Sequence, residues 1–221
     1  MKLLLTSAGV KNKSIERALV EMLGKPIAES NALLIPTASY GHVGGVRGAY
    51  RFITGTATTP MAELGWKSLG LLELTTLPSL TEEYWVPFVR ETDVLLVNGG
   101  DPLYLGYWIR ESGLFDLIPS LEDKVWLSLS AGSLVMAPNI GMDFVTWPMP
   151  GGGDQTLGIV DFAMFPHLDH PMLPENTMAD AERWAAGMSI PCYAIDDDTA
   201  IKVVDGTVEV ISEGNWKLLN V

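Results

Sequence analysis

Short apolar runs alternate along the first two thirds of the chain with segments of helical periodicity. The pattern predicts strands over residues 2–5, 32–35, 68–74, 93–97 and 125–129. Helices are predicted between them, over residues 14–23, 49–64 and 81–89 and up to about residue 111. Strands that alternate with helices indicate βαβ units, so we expect a parallel sheet covered by helices on both faces.

The last part of the chain has a different pattern. Strands are predicted over residues 192–196, 200–204, 208–211 and 216–219, joined by tight turns such as Asp205-Gly206. Such closely spaced strands are typical of antiparallel pairing. We therefore predict an α/β, doubly wound, mostly parallel sheet with a C-terminal antiparallel edge, in a single domain over residues 1–221.

Composition fits a folded domain and narrows the choice of partners. The chain is 48% hydrophobic, and its 27 acidic and 14 basic residues give a formal charge of −13. Such a surface repels phosphate backbones and anionic lipids, so neither nucleic acid nor a membrane is an expected partner. The single Cys192 excludes an internal disulfide, and residues 1–6 are too short for a signal sequence. We expect a cytoplasmic protein and leave a homodimer open.

A tight turn after the fifth predicted strand gives the strongest chemical signal. Ser130 ends an apolar run and is followed by Ala131, Gly132 and an apolar helix start. This order describes a nucleophile elbow, in which a strained turn lifts a serine hydroxyl above the sheet. The usual pattern has glycine two residues earlier, where this chain has Ser128. The alternative interpretation is that Ser130 only caps a helix.

A serine nucleophile needs a base, and the chain contains three histidines. His167 follows the apolar run 159–165, which places it at a strand end, where sites form in open α/β sheets. His170 is expected to line the same cleft, and His42, in a glycine-rich loop, to be merely exposed. The acidic run 196–198 follows another predicted strand and offers a carboxylate to orient the base.

Backbone amides near Ser130 are candidates for stabilising a tetrahedral intermediate. Gly99 and Gly100 close the fourth predicted strand, where bare backbone can approach a substrate. One of their N–H groups, together with that of Ala131, would form an oxyanion hole. A simple strand-to-helix turn is the alternative interpretation.

Two other interpretations concern the base and its acidic partner. His167, His170 and Asp169 could form a metal site, which ranks below the base role because no further His or Cys ligand is evident. The acidic run 196–198 is also typical of a solvated turn. We expect neither a metal nor a cofactor.

Five short motifs occur in the order found in one known family. They are Pro36-Thr37-Ala38-Ser39, Asn98-Gly99-Gly100-Asp101, Ser130-Ala131-Gly132-Ser133, Pro166-His167 and the segment 195–200. Through them the chain resembles the peptidase E family, serine dipeptidases that include aspartyl dipeptidase and cyanophycinase. That resemblance implies a three-layer, flavodoxin-like fold similar to that of class I glutamine amidotransferases.

The resemblance also implies roles for single residues. Ser130 would be the nucleophile, His167 the base and Asp197 the acidic member of a triad. The family often has glutamate at this last position, so the shorter Asp197 is a departure. Asp196 and Asp198 are alternatives for it.

Substrate contacts are implied for Asp101, His170 and Arg183. The family's aspartyl dipeptidases hold the acidic side chain of the substrate with an arginine in the segment after the histidine, and Arg183 lies in that segment. An ordinary helix-surface arginine is the alternative interpretation. Arg47 and Arg51, in or near the glycine-rich loop, are other candidates.

The main hypothesis is a serine peptidase that cleaves a small peptide substrate. It would act as a dipeptidase on N-terminal Asp-X bonds, through an acyl-enzyme on Ser130 with His167 as base. A hydrolase of another small amide or ester is the second hypothesis. The third is a non-catalytic binding or regulatory protein, because this fold hosts many functions.

Overall fold

A computed structural model describes residues 1–220, and Val221, the last residue of the predicted domain, lies outside the described residues. The strands are β1 Lys2–Thr6, β2 Asn31–Ile35, β3 Ser68–Leu71, β4 Val94–Val97, β5 Val125–Leu129, β6 Ala163–Phe165, β7 Cys192–Ile195, β8 Thr199–Val204, β9 Thr207–Ser212 and β10 Trp216–Leu219. The α-helices are α1 Lys13–Leu23, α2 Gly45–Ile53, α3 Val86–Glu91, α4 Pro102–Glu111, α5 Leu114–Leu117, α6 Ala131–Leu134 and α7 Met178–Ala185.

The large sheet has the strand order β3-β2-β4-β5-β1-β8-β9. Its first five strands are parallel, β8 runs antiparallel to β1, and β9 runs antiparallel to β8. The predicted α/β, flavodoxin-like fold with a mostly parallel central sheet is therefore confirmed.

Helices cover both faces of this sheet because strand side chains alternate between the faces. Leu3 and Leu5 of β1 belong to the core under α4 and α6. Leu4, between them, packs into the opposite core with Ile15 and Leu19 of α1. Three layers result, with an apolar core on each side of the sheet.

A second sheet corrects the prediction for the C-terminal strands. Only β8 and β9 form the antiparallel edge of the large sheet, whereas β7 and β10 belong to a small sheet of order β10-β7-β6. In that sheet β6 and β7 are parallel and β10 is antiparallel to β7. The hydrophobic pattern identified the strands, but a pattern within one strand does not specify the sheet that it joins.

Two predicted helices have different bounds from those expected. The helix expected over residues 49–64 is α2, which ends before Gly55, whose φ of +65° is left-handed. The helix expected over 81–89 is a short 3₁₀ turn followed by α3, which has Pro87 in its first turn. Proline is favoured in a first turn because it lacks an N–H to donate inside a helix. No helix among residues 1–220 is long and apolar enough to span a membrane.

Candidate active site

A cleft of about 500 Å³ lies at the carboxyl ends of the central parallel strands. One part of its lining comes from the segments that follow β2, β4, β5 and β6, and another comes from the glycine-rich loop and α2. Residues from the strand ends are Ser39, Asn98, Gly99, Gly100, Leu129, Ser130 and His167. His42, which the sequence predicted to be merely exposed, also lines the cleft, and so do Arg47 and Arg51.

Ser130 occupies a strained turn between β5 and α6. Its φ of 49° with ψ of −118° is sparsely populated by residues other than glycine. Its N–H donates to Thr6 O at 2.9 Å, while its carbonyl accepts from the N–H groups of Ser133 and Leu134. The backbone is thus held on both sides of the turn, and Ser130 faces the cleft.

Close packing explains the residues around this turn. A Cβ on Gly132 would lie 2.7 Å from Val97 O, so only glycine lets α6 sit this near β4. Ser128, where the usual motif has glycine, is buried and hydrogen-bonded to Ser133 Oγ at 2.8 Å. Ser133 Oγ donates in turn to Thr6 O, so the Ser128 hydroxyl is the donor of that pair.

The predicted oxyanion amides lie beside Ser130. Gly100 has φ +146°, and a Cβ there would lie 2.1 Å from Ala38 O, so this position requires glycine. Gly99 and Gly100 both line the cleft, and Ala131 is buried at the start of α6. None of these three N–H groups donates a hydrogen bond within residues 1–220. These N–H groups are therefore unpaired in the described fold, and Gly99 and Gly100 border the cleft whereas Ala131 is not part of its lining.

His167 is joined to Asp197 by a hydrogen bond of 2.7 Å between Nδ1 and Oδ1. They follow the ends of β6 and β7, which are adjacent and parallel. A carboxylate only accepts, so in the neutral form of the ring Nδ1 holds the proton and Nε2 has the lone pair. Asp196 instead accepts from Thr199 Oγ1 and from the Asp198 N–H. Of the three candidate carboxylates, the structure brings Asp197 to the histidine.

The carboxyl of Asp197 is held as a carboxylate. Burial alone would raise its pKa, but the hydrogen bond and charge of His167, with the charges of His170 and Lys11, outweigh burial and lower the pKa. An ionised partner favours the imidazolium that forms when the histidine takes a proton.

Ser7 links the two sheets beside His167, and the sequence did not predict this role. Its buried hydroxyl donates to Ile195 O at 3.2 Å and accepts from the His167 N–H at 3.1 Å. The neighbouring Leu168 N–H also donates to Ile195 O. The only sequence signal was a polar pair, Thr6-Ser7, at the end of β1.

Ser130 and His167 line the same cleft, although no hydrogen bond joins them within residues 1–220. Catalytic hydrogen bonds are often long without substrate and tighten in the complex. Both residues therefore border the same space at the carboxyl ends of the strands.

The expected substrate contacts do not lie on this cleft. Asp101 is buried as the N-cap of α4 and accepts from the Tyr104 N–H and from Thr146 Oγ1. Arg183 is paired with Asp180 on the surface of α7, so the alternative of a helix-surface arginine describes it better.

His170 also lies away from the cleft lining. Its Nε2 is 3.7 Å from Asp197 Oδ2, and its Nδ1 accepts from the Met172 N–H at 3.1 Å. The side chain is thus a neighbour of the Asp197 carboxylate and not part of the cleft lining. No group of three or more His, Cys, Asp or Glu in the described part of the chain is arranged to hold a metal ion.

The sequence model of peptidase family S51 matches residues 3–211. The chain belongs to peptidase family S51. This membership confirms the resemblance to peptidase E and assigns the chain to a family of peptidases.

Two solved structures have a similar fold. One is a "putative peptidase E protein" from Listeria monocytogenes EGD-e, with a TM-score of 0.67, 21% identity, and coverage of 96% of this chain and 98% of that one. The other is a peptidase from an acI-B1 Actinobacterium, with a TM-score of 0.68, 19% identity, and coverage of 100% and 91%. No curated protein sequence matches the chain.

Proposed function

We propose that this S51 member is a serine peptidase in which Ser130 is the nucleophile and His167 the general base. The observation that supports it most is the 2.7 Å His167–Asp197 hydrogen bond on the cleft that Ser130 faces. It leaves a basic Nε2 on the ring. The strained turn at Ser130 gives the hydroxyl the exposure that a nucleophile elbow needs.

The reaction follows from these positions. His167 Nε2 takes the hydroxyl proton as Ser130 Oγ attacks the peptide carbonyl, and Asp197 stabilises the imidazolium. The N–H groups of Gly99 or Gly100 and of Ala131 donate to the oxyanion. The imidazolium then returns its proton to the leaving amine as the C–N bond breaks. Water, deprotonated by the same nitrogen, hydrolyses the acyl-enzyme and releases the serine.

The substrate we propose is a dipeptide with an N-terminal aspartate. Two things support it: the family resemblance, and a cleft of about 500 Å³, which suits a small ligand better than a protein segment. The resemblance alone supports the preference for aspartate over other residues.

A dipeptide panel tests this function. Wild type and Ser130→Ala are incubated with Asp-X, Glu-X and neutral dipeptides and with simple esters, and release of free amine or alcohol is followed. We expect Asp-X cleavage by wild type and a loss of several orders of magnitude in Ser130→Ala, as removal of a triad serine generally causes.

Other outcomes of this panel select other functions. Cleavage of esters or neutral amides alone would replace the dipeptidase with another small-molecule hydrolase. No turnover of any compound would contradict catalysis and favour a binding protein.

A further inference from the structure

The wall of the cleft has the opposite charge character from the rest of the molecule. The chain has 27 acidic residues against 14 basic ones. The lining of the cleft nevertheless contains no Asp or Glu, and it contains Arg47, Arg51, His42 and His167. The net negative charge of the whole molecule repels acidic ligands, whereas the two arginines on the cleft lining attract them.

The two arginines come from one face of α2. They are four residues apart, so they are neighbours on the helix surface. The opposite face of α2 is buried through Ala49 and Phe52. At its start Gly45 packs so closely that a Cβ would lie 2.4 Å from Ser39 O. The helix that presents the arginines is therefore fixed against the end of β2, beside the cleft.

Neither guanidinium is used by the fold. Among residues 1–220 the side chains of Arg47 and Arg51 make no ion pair and no hydrogen bond. By contrast, Arg183 is held by Asp180 and Arg110 donates to Thr156 O. Unpaired arginines that face a cleft are suited to bind a carboxylate, which a guanidinium can hold with two parallel hydrogen bonds.

We propose that Arg47 and Arg51 form a carboxylate-binding subsite that selects the substrate of this cleft. The inference rests on the proposed function, and it moves the acidic-group recognition from Arg183 to α2. The ligand chemistry is a carboxylate, which a dipeptide offers from an aspartate side chain or from its C-terminus.

Binding to Ser130→Ala protein, measured by calorimetry, separates these two sources. The ligands are Asp-Leu, Asn-Leu, Asp-Leu amide and Asn-Leu amide, so that each carboxylate is removed alone and both are removed together. We expect Asp-Leu to bind at least about tenfold more tightly than Asn-Leu amide, a typical difference for a charge-assisted pair in a cleft. The intermediate ligands identify which carboxylate the arginines hold.

The same titrations in Arg47→Gln/Arg51→Gln on the Ser130→Ala background test the assignment. In this variant we expect the four ligands to bind with nearly equal affinity. Arg17→Gln/Arg90→Gln is the matched control, because it removes the same charge from α1 and α3, outside the cleft lining. Arg47→Lys/Arg51→Lys keeps the charge but not the paired donors, and should retain part of the discrimination.

The possible results distinguish a failure of the arginine subsite from a failure of the proposed peptidase function. Discrimination that persists in Arg47→Gln/Arg51→Gln, or that falls equally in the control, overturns the subsite, and so does the absence of binding by all four ligands. Wild-type cleavage that is insensitive to both arginines leaves the peptidase but removes the subsite. Arginine-dependent binding without wild-type turnover leaves the subsite but removes the peptidase.

Discussion

The large and the small sheet supply different halves of the site in different ways. The large sheet provides Ser130 and the glycine amides, and it fixes them through backbone strain and through contacts that exclude a Cβ. The small sheet provides His167 and Asp197, and it fixes them through a hydrogen bond between side chains. The first half should therefore respond to changes in shape, and the second to changes in charge and proton position.

The largest effect is expected from Asp197→Asn. An asparagine can donate to Nδ1, which would place the ring proton on Nε2 and remove the base from the cleft. We expect kcat to fall by about 10³- to 10⁴-fold, as in other triads, and stability near neutral pH to fall because the stabilising carboxylate is lost. Steady-state kinetics on the best dipeptide, beside thermal unfolding, measure both quantities. A loss of under tenfold would show that Asp197 is not the orienting acid.

The next largest effect is expected from a change of shape in the part of the site that the large sheet provides. Gly100→Ala would put a Cβ 2.1 Å from Ala38 O at a φ of +146°, so the backbone must move. We expect a loss of more than about 2 kcal/mol in the free energy of unfolding, together with most activity. Urea denaturation measures it. Gly48→Ala is the control, because its nearest neighbour is 3.6 Å away and it lies inside a helix, where alanine is preferred.

Ser7→Ala should affect the contact between the large and the small sheet. It would leave the His167 N–H without its buried partner and remove one of the two donors to the Ile195 carbonyl, the other being the Leu168 N–H. We expect a cost of about 1–3 kcal/mol in the free energy of unfolding and a fall in kcat with KM nearly unchanged. An unchanged kcat would show that the two sheets hold their positions without Ser7.

The pKa of Asp197 predicts how stability depends on pH. Because the pKa is lowered on folding from its ordinary value of 3.8, the carboxylate stabilises the fold above that value. This contribution is lost as pH falls through the lower folded pKa. The difference in free energy of unfolding between wild type and Asp197→Asn should therefore shrink below about pH 4. A difference that grows on acidification would contradict it.

The smallest effect is expected from His170→Asn. The distance of 3.7 Å between His170 Nε2 and Asp197 Oδ2 is too long for a strong hydrogen bond, and the histidine is partly exposed. We expect kcat to fall by less than about threefold. A fall comparable with that of Asp197→Asn would make His170 an essential partner of the carboxylate.

The same difference between the sheets explains what the sequence could predict. Four of the five parallel strands, β1, β2, β4 and β5, follow from buried apolar runs, and α1 follows from apolar spacing between Asn12, its N-cap, and Gly24, its C-cap. The small sheet could not be predicted, because nothing local in β6, β7 and β10 specifies which strand each of them pairs with. Pro87 and Gly55 are the local signals for the observed start of α3 and the observed end of α2.

The residues of the candidate site also differ in whether a local sequence signal predicts them. The nucleophile turn and the Pro-His pair have local signals, so Ser130 and His167 were predicted from short motifs, and both line the cleft. Asp101 and Arg183 were predicted as substrate contacts but lie off the cleft, because a polar residue near a motif can equally be a buried N-cap or a surface ion pair. The position of His42 on the cleft depends on how α2 packs against the end of β2, which spacing along the chain does not show.

The most direct test of the proposed nucleophile and base is chemical labelling of the activated serine. Wild type and His167→Gln are treated with a fluorophosphonate, which reacts with activated serines, and peptide mass spectrometry locates the adduct. We predict an adduct on Ser130 in wild type and at least a hundredfold slower labelling in His167→Gln, since general-base assistance generally contributes about 10²–10⁴-fold. Labelling of another residue, or equal labelling rates in the two proteins, would contradict the proposed nucleophile and base.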